Sequence, residues 1–249
     1  MLSKLSSYFQ RILLSISNRA YIYDKRHFEN MSVHWGQCAE DVIVHSLLRE
    51  IHFEGFYVDV GAHHPTALSN TYYFHRLGWR GINIDASKQA IEEFDVVRPR
   101  DVNLHLGVAK DNQTLEYHRF ENSLFNTFDT TMAETWCKYS RKLRSDFVMC
   151  KPLSTILSEY LTNGTEIDLL SIDVEGSECD VVESNDWTRY RPKVVVIEQL
   201  SRMSIDLQSE SELFKLLTKW DYKCVAIAGH SQYFLREDIY LNYIQIQTA

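Results

Sequence analysis

Apolar residues along this chain fall into two patterns that alternate from about residue 31 onward. Short, nearly unbroken apolar runs occupy residues 56–60, 82–85, 102–106, 167–172 and 194–197. Such runs predict strands buried on both faces. Between them, apolar residues recur three and four apart: Val42, Ile43, Leu47 and Leu48, then stretches at 71–77, 88–97, 153–160 and 211–220. These predict amphipathic helices. Strand and helix in strict alternation predict an α/β fold, a mostly parallel sheet with helices on both faces. Residues 222–227 and 232–235 read as a closing antiparallel hairpin. Residues 114–120 alternate like an edge strand, and 121–150, polar and mixed in character, read as a variable insertion near the site.

The first 30 residues follow a different rule. Leu2, Leu5, Phe9, Ile12, Leu13 and Ile16 form an apolar stripe, with Lys4, Arg11 and Arg19 between them and no acid before Asp24. This predicts a basic amphipathic helix and linker over 1–30, ahead of one domain over 31–249. The helix suits either peripheral contact with an anionic membrane surface through residues 1–22, or packing on a partner or on its own domain.

Composition narrows the ligand. The 26 Lys+Arg against 34 Asp+Glu give a net charge of −8, with no basic stripe to offset it, so nucleic acid is not the expected partner. The five cysteines are odd in number and hold no C-x-x-C pair, which points away from a disulfide framework or zinc knuckle and toward a reducing, cytoplasmic setting. No apolar run approaches the ~20 residues of a membrane-spanning helix.

In a parallel sheet, ligands bind beyond the carboxyl ends of the strands. Asp59 and Gly61 end the first strand, and Asp85 ends the second about 24 residues later, where an acid can accept hydrogen bonds from ribose hydroxyls. Asp85 could equally cap the following helix, and Asp59 could be a paired buried carboxylate. Only nine glycines are present, and the loop after Gly61 lacks the further glycines that admit a pyrophosphate, which counts against an NAD(P)-dependent oxidoreductase. A nucleoside with a positive centre near Asp59 fits better, as in S-adenosylmethionine. Asp173, Glu175 and Glu178 crowd together after the strand at 167–172. Such a cluster must bind a cation, share a proton or reach solvent; alternatively Glu175 and Glu178 complement a helix dipole.

Several separated motifs, in order, resemble the FkbM family of S-adenosylmethionine-dependent methyltransferases: Gln37-Cys38-Ala39-Glu40-Asp41, Phe56-Tyr57-Val58-Asp59-Val60-Gly61-Ala62-His63-His64-Pro65, Ser69-Asn70-Thr71, Gly78-Trp79-Arg80-Gly81-Ile82-Asn83-Ile84-Asp85, Asn103-Leu104-His105-Leu106-Gly107-Val108, Asp173-Val174-Glu175-Gly176-Ser177-Glu178 and Arg191-Pro192-Lys193. The resemblance spans roughly residues 35–200. It departs at Gly36 and Ala39 and at Ala86-Ser87 after Asp85. It implies a Rossmann-like, class I seven-stranded sheet and methylation of a hydroxyl on a sugar, polysaccharide or glycosylated small molecule.

On that resemblance, Asp59, Gly61, Ala62, Asn70, Asp85, Gly107 and Val108 are assigned to the cofactor, the last two beside its adenine. Asp173 and Glu175 are placed at the reacting hydroxyl, as general base or as ligands of Mg²⁺ or another divalent cation, with His63 as a further candidate base. Adjacent side chains diverge, so at most one of His63 and His64 is expected to point inward. A homo-oligomer is a further expectation. The contrasting reading is a catalytically degenerate domain acting as a scaffold at a membrane surface.

Overall fold

The computed structural model describes residues 33–48, 54–199, 209 and 211–247. The chain divides into two units, Met1–Val33 and His34–Ala249, and the second holds every element named here. The expected basic helix over 1–22 lies outside the described residues.

Helix α1 (Glu40–Leu48) precedes β1 (Phe56–Val60), α2 (Tyr72–Arg76), β2 (Arg80–Asp85), α3 (Lys88–Val97) and β3 (Val102–His105). The chain then makes an excursion through β4 (Gly107–Val108), β5 (Gln113–Phe120), a 3-10 turn (Ser123–Phe125), α4 (Thr130–Trp136) and β6 (Lys142–Lys151). It returns with α5 (Leu153–Tyr160), β7 (Leu169–Ile172), α6 (Glu178–Glu183), β8 (Val194–Glu198), α7 (Glu212–Lys219), β9 (Tyr222–Ala228), β10 (Ser231–Arg236) and α8 (Glu237–Gln247). Seven strands form one sheet in the order β3-β2-β1-β7-β8-β10-β9. The first five run parallel, and β10 pairs antiparallel with both β8 and β9. This is the Rossmann-like class I methyltransferase sheet. From β1 the chain builds outward to β2 and β3, then crosses back to β7 and builds the other way. The ends of β1 and β7 therefore flank the crevice where strand order reverses.

Alternation within β1 shows why the apolar runs are unbroken. Val58 and Val60 pack with Ile84, Leu170 and Ile172 beneath Leu153, Ile156, Val181 and Leu217. Tyr57 faces the other way, with Leu169 and Val194, against Val44, Leu47, Phe74 and Trp79. Both faces are covered, so both parities are apolar. Asp59 shares the parity of Tyr57 and is 4% exposed.

The edge strand expected at 114–120 is β5, but it belongs to a separate three-stranded sheet, β4-β6-β5. Its partner β6 leaves no strand signal in the sequence of the insertion. Buried Val148 and Cys150 alternate with exposed Leu143, Phe147 and Met149, so neither face is cleanly polar and the period-two signal is erased. Helix α8 is likewise hidden in the sequence, because Ile244 and Ile246 alternate with glutamines in a strand-like pattern. Among the described residues, no helix is long and apolar enough to cross a membrane.

Candidate cofactor and acceptor site

Beyond the carboxyl ends of β1, β2 and β7 lies a cleft of about 630 Å³, open to solvent and lined by Gly61, His63, Asp85, Gly107, Val108, Asp173 and Glu175 among others. A second hollow of about 350 Å³ is lined by Asp59, Ala62, Ser69, Asn70 and Ser171, and shares Gly61, His63, Leu124 and Asp173 with the first. The two form one elongated crevice. All ten residues singled out from the sequence line it.

Gly61 makes that geometry possible. Its φ is +79°, the left-handed region that favours glycine. A β-carbon there would overlap the carbonyl oxygen of Asp173. The N–H groups of Gly61 and Ala62 both donate to the carbonyl of Ile84, at 2.9 and 3.1 Å. The close approach expected between this glycine and a ligand is thus also an approach between two strand ends.

Asp85 is 7% exposed. Its Oδ2 accepts the His63 N–H at 2.8 Å and its Oδ1 accepts the Ser87 N–H at 2.6 Å. Burial pushes its carboxyl up, and these two bonds pull the other way. Asp85 is not the cap of α3. That is Ser87, whose side chain accepts from the Ala90 N–H. Each oxygen of Asp85 keeps a lone pair for a further donor. Asp59 accepts from the Thr71 hydroxyl at 2.6 Å. Burial raises its carboxyl, while the Thr71 bond and the Arg98 charge hold it down. Asn70 Nδ2 donates to Ser171 Oγ at 3.1 Å beside it.

The far end of the cleft is apolar. Ile84, Ala86, Leu106 and Val108 face Tyr117 and Phe128 across it. Gly107 lets the second sheet come this close, since a β-carbon would meet the Phe128 ring and the Cys150 sulfur. Ser123, Leu124, Asn126 and Phe128 show that the insertion supplies one wall of the cleft. Thr127 ties that wall to the opposite side by donating to the Glu175 carbonyl at 2.8 Å.

At the end of β7, Asp173 is held well above the ordinary carboxylate range by burial, by Glu198 and by Glu175. Glu175 is pushed up to about 8, by burial first and then by Glu198 and Glu178. Its Oε2 is buried without a hydrogen-bond partner, and its φ is +53°. Glu178 follows the dipole reading: it opens α6 and accepts the Gly176 N–H at 2.9 Å. Glu198 is the residue that sequence reasoning misses. It is visible there only as the end of a strand, although an acid ending the strand beside β7 must sit at the same sheet edge. Among the described residues, no three His, Cys, Asp or Glu side chains gather as a metal-holding group. Asp173 and Glu175 by themselves offer two carboxylates to a divalent cation, whose remaining ligands would have to be water or the acceptor.

His63 points inward, its Nε2 lying 2.9 Å from Ser123 Oγ, while His64 shapes the loop by accepting the N–H groups of Thr66 and Ala67. Burial, then the proximity of His64, lowers the His63 pKa. His63, Leu68 and Glu175 all take positive φ values, and all three line the crevice. Backbone strain of this kind gathers where structure is held for function.

A family model, the methyltransferase FkbM domain, matches residues 59–224. No curated relative matches the chain. Similar solved structures include a TehB-like SAM-dependent methyltransferase from Corynebacterium glutamicum, at 8% identity over 95% of this chain and 100% of that one, TM-score 0.42. Another is the 1,6-didemethyltoxoflavin-N1-methyltransferase of Burkholderia thailandensis, at 8% identity over 94% and 89%, TM-score 0.43. A third is an O-methyltransferase from Bacillus cereus in complex with SAH, at 10% identity over 90% and 89%, TM-score 0.40.

Proposed function

The chain belongs to the FkbM methyltransferase family, and from that premise we propose that it transfers a methyl group from S-adenosylmethionine to a hydroxyl of a sugar, polysaccharide or glycosylated small molecule. The observation that carries this reading is the polarity of the crevice along its length. One end offers the buried Asp59 and Asn70, suited to an ammonium and carboxylate. Asp85 stands at the middle with free lone pairs for ribose hydroxyls. The other end is an apolar slot bounded by Val108 and Phe128, suited to a purine.

The cofactor, when bound, supplies a methyl group on a sulfonium, an electrophile that needs no further activation. The chain must orient the acceptor and take its proton. A sugar hydroxyl is hardly ionised at neutral pH, and a positioned base accelerates such a step by about 10²–10⁴. The Asp173–Glu175 pair fills that role. Once ionised, raised carboxyls are stronger bases than exposed ones; with Glu175 pushed up to about 8, its orphaned Oε2 accepts the hydroxyl proton in the ionised fraction, which grows as pH approaches 8. With the cofactor held along the Asp59 and Asp85 end, the hydroxyl oxygen relieved of its proton would receive the methyl group and S-adenosylhomocysteine would be the leaving group. His63 holds the wall at Ser123 and is a second candidate proton acceptor.

Incubation with methyl-labelled S-adenosylmethionine and a panel of mono- and oligosaccharides tests this reading. Label on a saccharide hydroxyl is the expected result. Binding of S-adenosylhomocysteine with transfer only to other acceptor classes would overturn the acceptor, and failure to bind it would overturn the whole.

A further inference from the structure

Arg98 is fully buried, an expensive place for a guanidinium charge. It follows α3 directly, with its own N–H bonded to the Phe94 carbonyl at 2.7 Å, and Pro99 stops the helix from continuing. The guanidinium therefore turns back beneath the first loop, over the rings of Phe94 and Tyr72 at 5.0 and 5.3 Å. Its four hydrogen bonds all go to neutral oxygens: Nε to the Pro65 carbonyl at 2.7 Å, one terminal nitrogen to Ser69 Oγ at 2.7 Å, and the other to Thr71 Oγ1 at 2.8 Å and Asn83 Oδ1 at 3.4 Å. Three of the four acceptors belong to one loop, residues 65–71.

That loop carries the amino-acid end of the crevice. Thr71 Oγ1 accepts from Arg98 and spends its only proton on Asp59, at 2.6 Å. Ser69 Oγ accepts from Arg98 and from the N–H groups of Thr71 and Tyr72. Asn70 is fixed between these two anchors and reaches Ser171. We infer that Arg98 is a positioning residue for the cofactor's amino-acid end, acting through the Thr71 hydroxyl on Asp59 and through Ser69 on Asn70. The arrangement orients the hydroxyl in one sense only, since a guanidinium can donate but not accept. It places a positive charge behind Asp59, one hydroxyl removed, so that this carboxylate, held also by the Ser171 side chain, meets the crevice without a direct ion pair to Arg98.

This role for Arg98 rests on S-adenosylmethionine being the cofactor, and the experiment separates the two. Calorimetry compares S-adenosylhomocysteine, which carries the amino-acid end, with 5′-methylthioadenosine, which lacks it. Thr71→Val keeps the side chain's shape and removes the relay hydroxyl, Thr71→Ser restores it, and Arg98→Lys keeps the charge but not the fork. Thr71→Val and Arg98→Lys should each weaken S-adenosylhomocysteine about tenfold or more, as expected for a lost bond to a charged group. Affinity for 5′-methylthioadenosine should stay within about twofold, and Thr71→Ser should retain both. Parallel loss of both ligands, or loss of neither, would overturn the relay, because a purely structural staple does not distinguish them. Wild-type protein that binds neither ligand would overturn the cofactor reading and the relay together.

Discussion

The β-carbon that Gly61 lacks would overlap the main-chain oxygen of Asp173. The loop proposed for the cofactor and the strand end proposed for the acceptor are thus in van der Waals contact through one missing side chain. Gly61→Ala would add the strain of a positive φ, about 1–3 kcal/mol, and would also force the two strand ends apart. Chemical denaturation should show the loss of stability, and S-adenosylhomocysteine affinity should fall with it. A variant as stable and as tightly binding as the parent would show that the contact is loose.

Asp85 uses one lone pair on each oxygen to hold the backbone of its own turn, at His63 and Ser87. Asp85→Asn must place an amide N–H against one of those donors and loses an acceptor for ribose. Affinity for S-adenosylhomocysteine should drop about tenfold or more, by the usual worth of a hydrogen bond to a charged group. Undiminished affinity in a calorimetric titration would remove Asp85 from the cofactor site.

The main sheet is legible in the sequence because buried parallel strands leave long apolar runs, and because acids and glycines at their ends stand out against them. Asp59, Asp85 and Asp173 can be placed on one edge from strand ends alone. What stays hidden is long-range. Glu198 joins Asp173 only because β8 pairs with β7, and pairing is not written in either strand's own pattern. Arg98 looks like a helix terminus, since nothing local reveals that its side chain turns inward to the 65–71 loop. The second sheet is obscured for a different reason: β6 exposes Phe147 and Met149, so its apolar residues do not mark one face.

Glu175 titrates near 8 in the folded chain against 4.5 for an ordinary glutamate. Across that window the folded state keeps a proton that the unfolded chain has released, so stability falls as pH rises from 4.5 toward 8 and is intact below it. Glu175→Gln removes the cost of ionisation. Melting temperatures of parent and variant should converge at about pH 4.5, with the variant increasingly the more stable up to about pH 8 and the difference level above it. A difference that does not change with pH would mean that Glu175 ionises as freely folded as unfolded.

If Asp173 and Glu175 take the hydroxyl proton without a metal, as proposed, methyl transfer should survive removal of divalent cations. Rates measured before and after exhaustive chelation should agree within about twofold, since a metal that lowers an acceptor's pKa contributes far more than that. Loss of activity restored by Mg²⁺ would return the cation to the site and leave Asp173 and Glu175 as its ligands.

Glu198 offers the sharpest test of the proton acceptor. After burial, its charge is the largest influence raising both Asp173 and Glu175, yet it ends a neighbouring strand and has no assigned part in the reaction. If the pair takes the hydroxyl proton, kcat/KM must rise with pH as the pair ionises, and the acid limb reports the pair as a unit. Glu198→Gln keeps the side chain's size and removes one negative neighbour, so the pair ionises more readily and the limb should move down by about one pH unit. At pH below the parent's limb the variant should then be the faster enzyme, an outcome that simple loss of structure cannot imitate. A limb that stays in place while the rate falls uniformly would take the base away from Asp173 and Glu175 and leave His63 as the acceptor to test next.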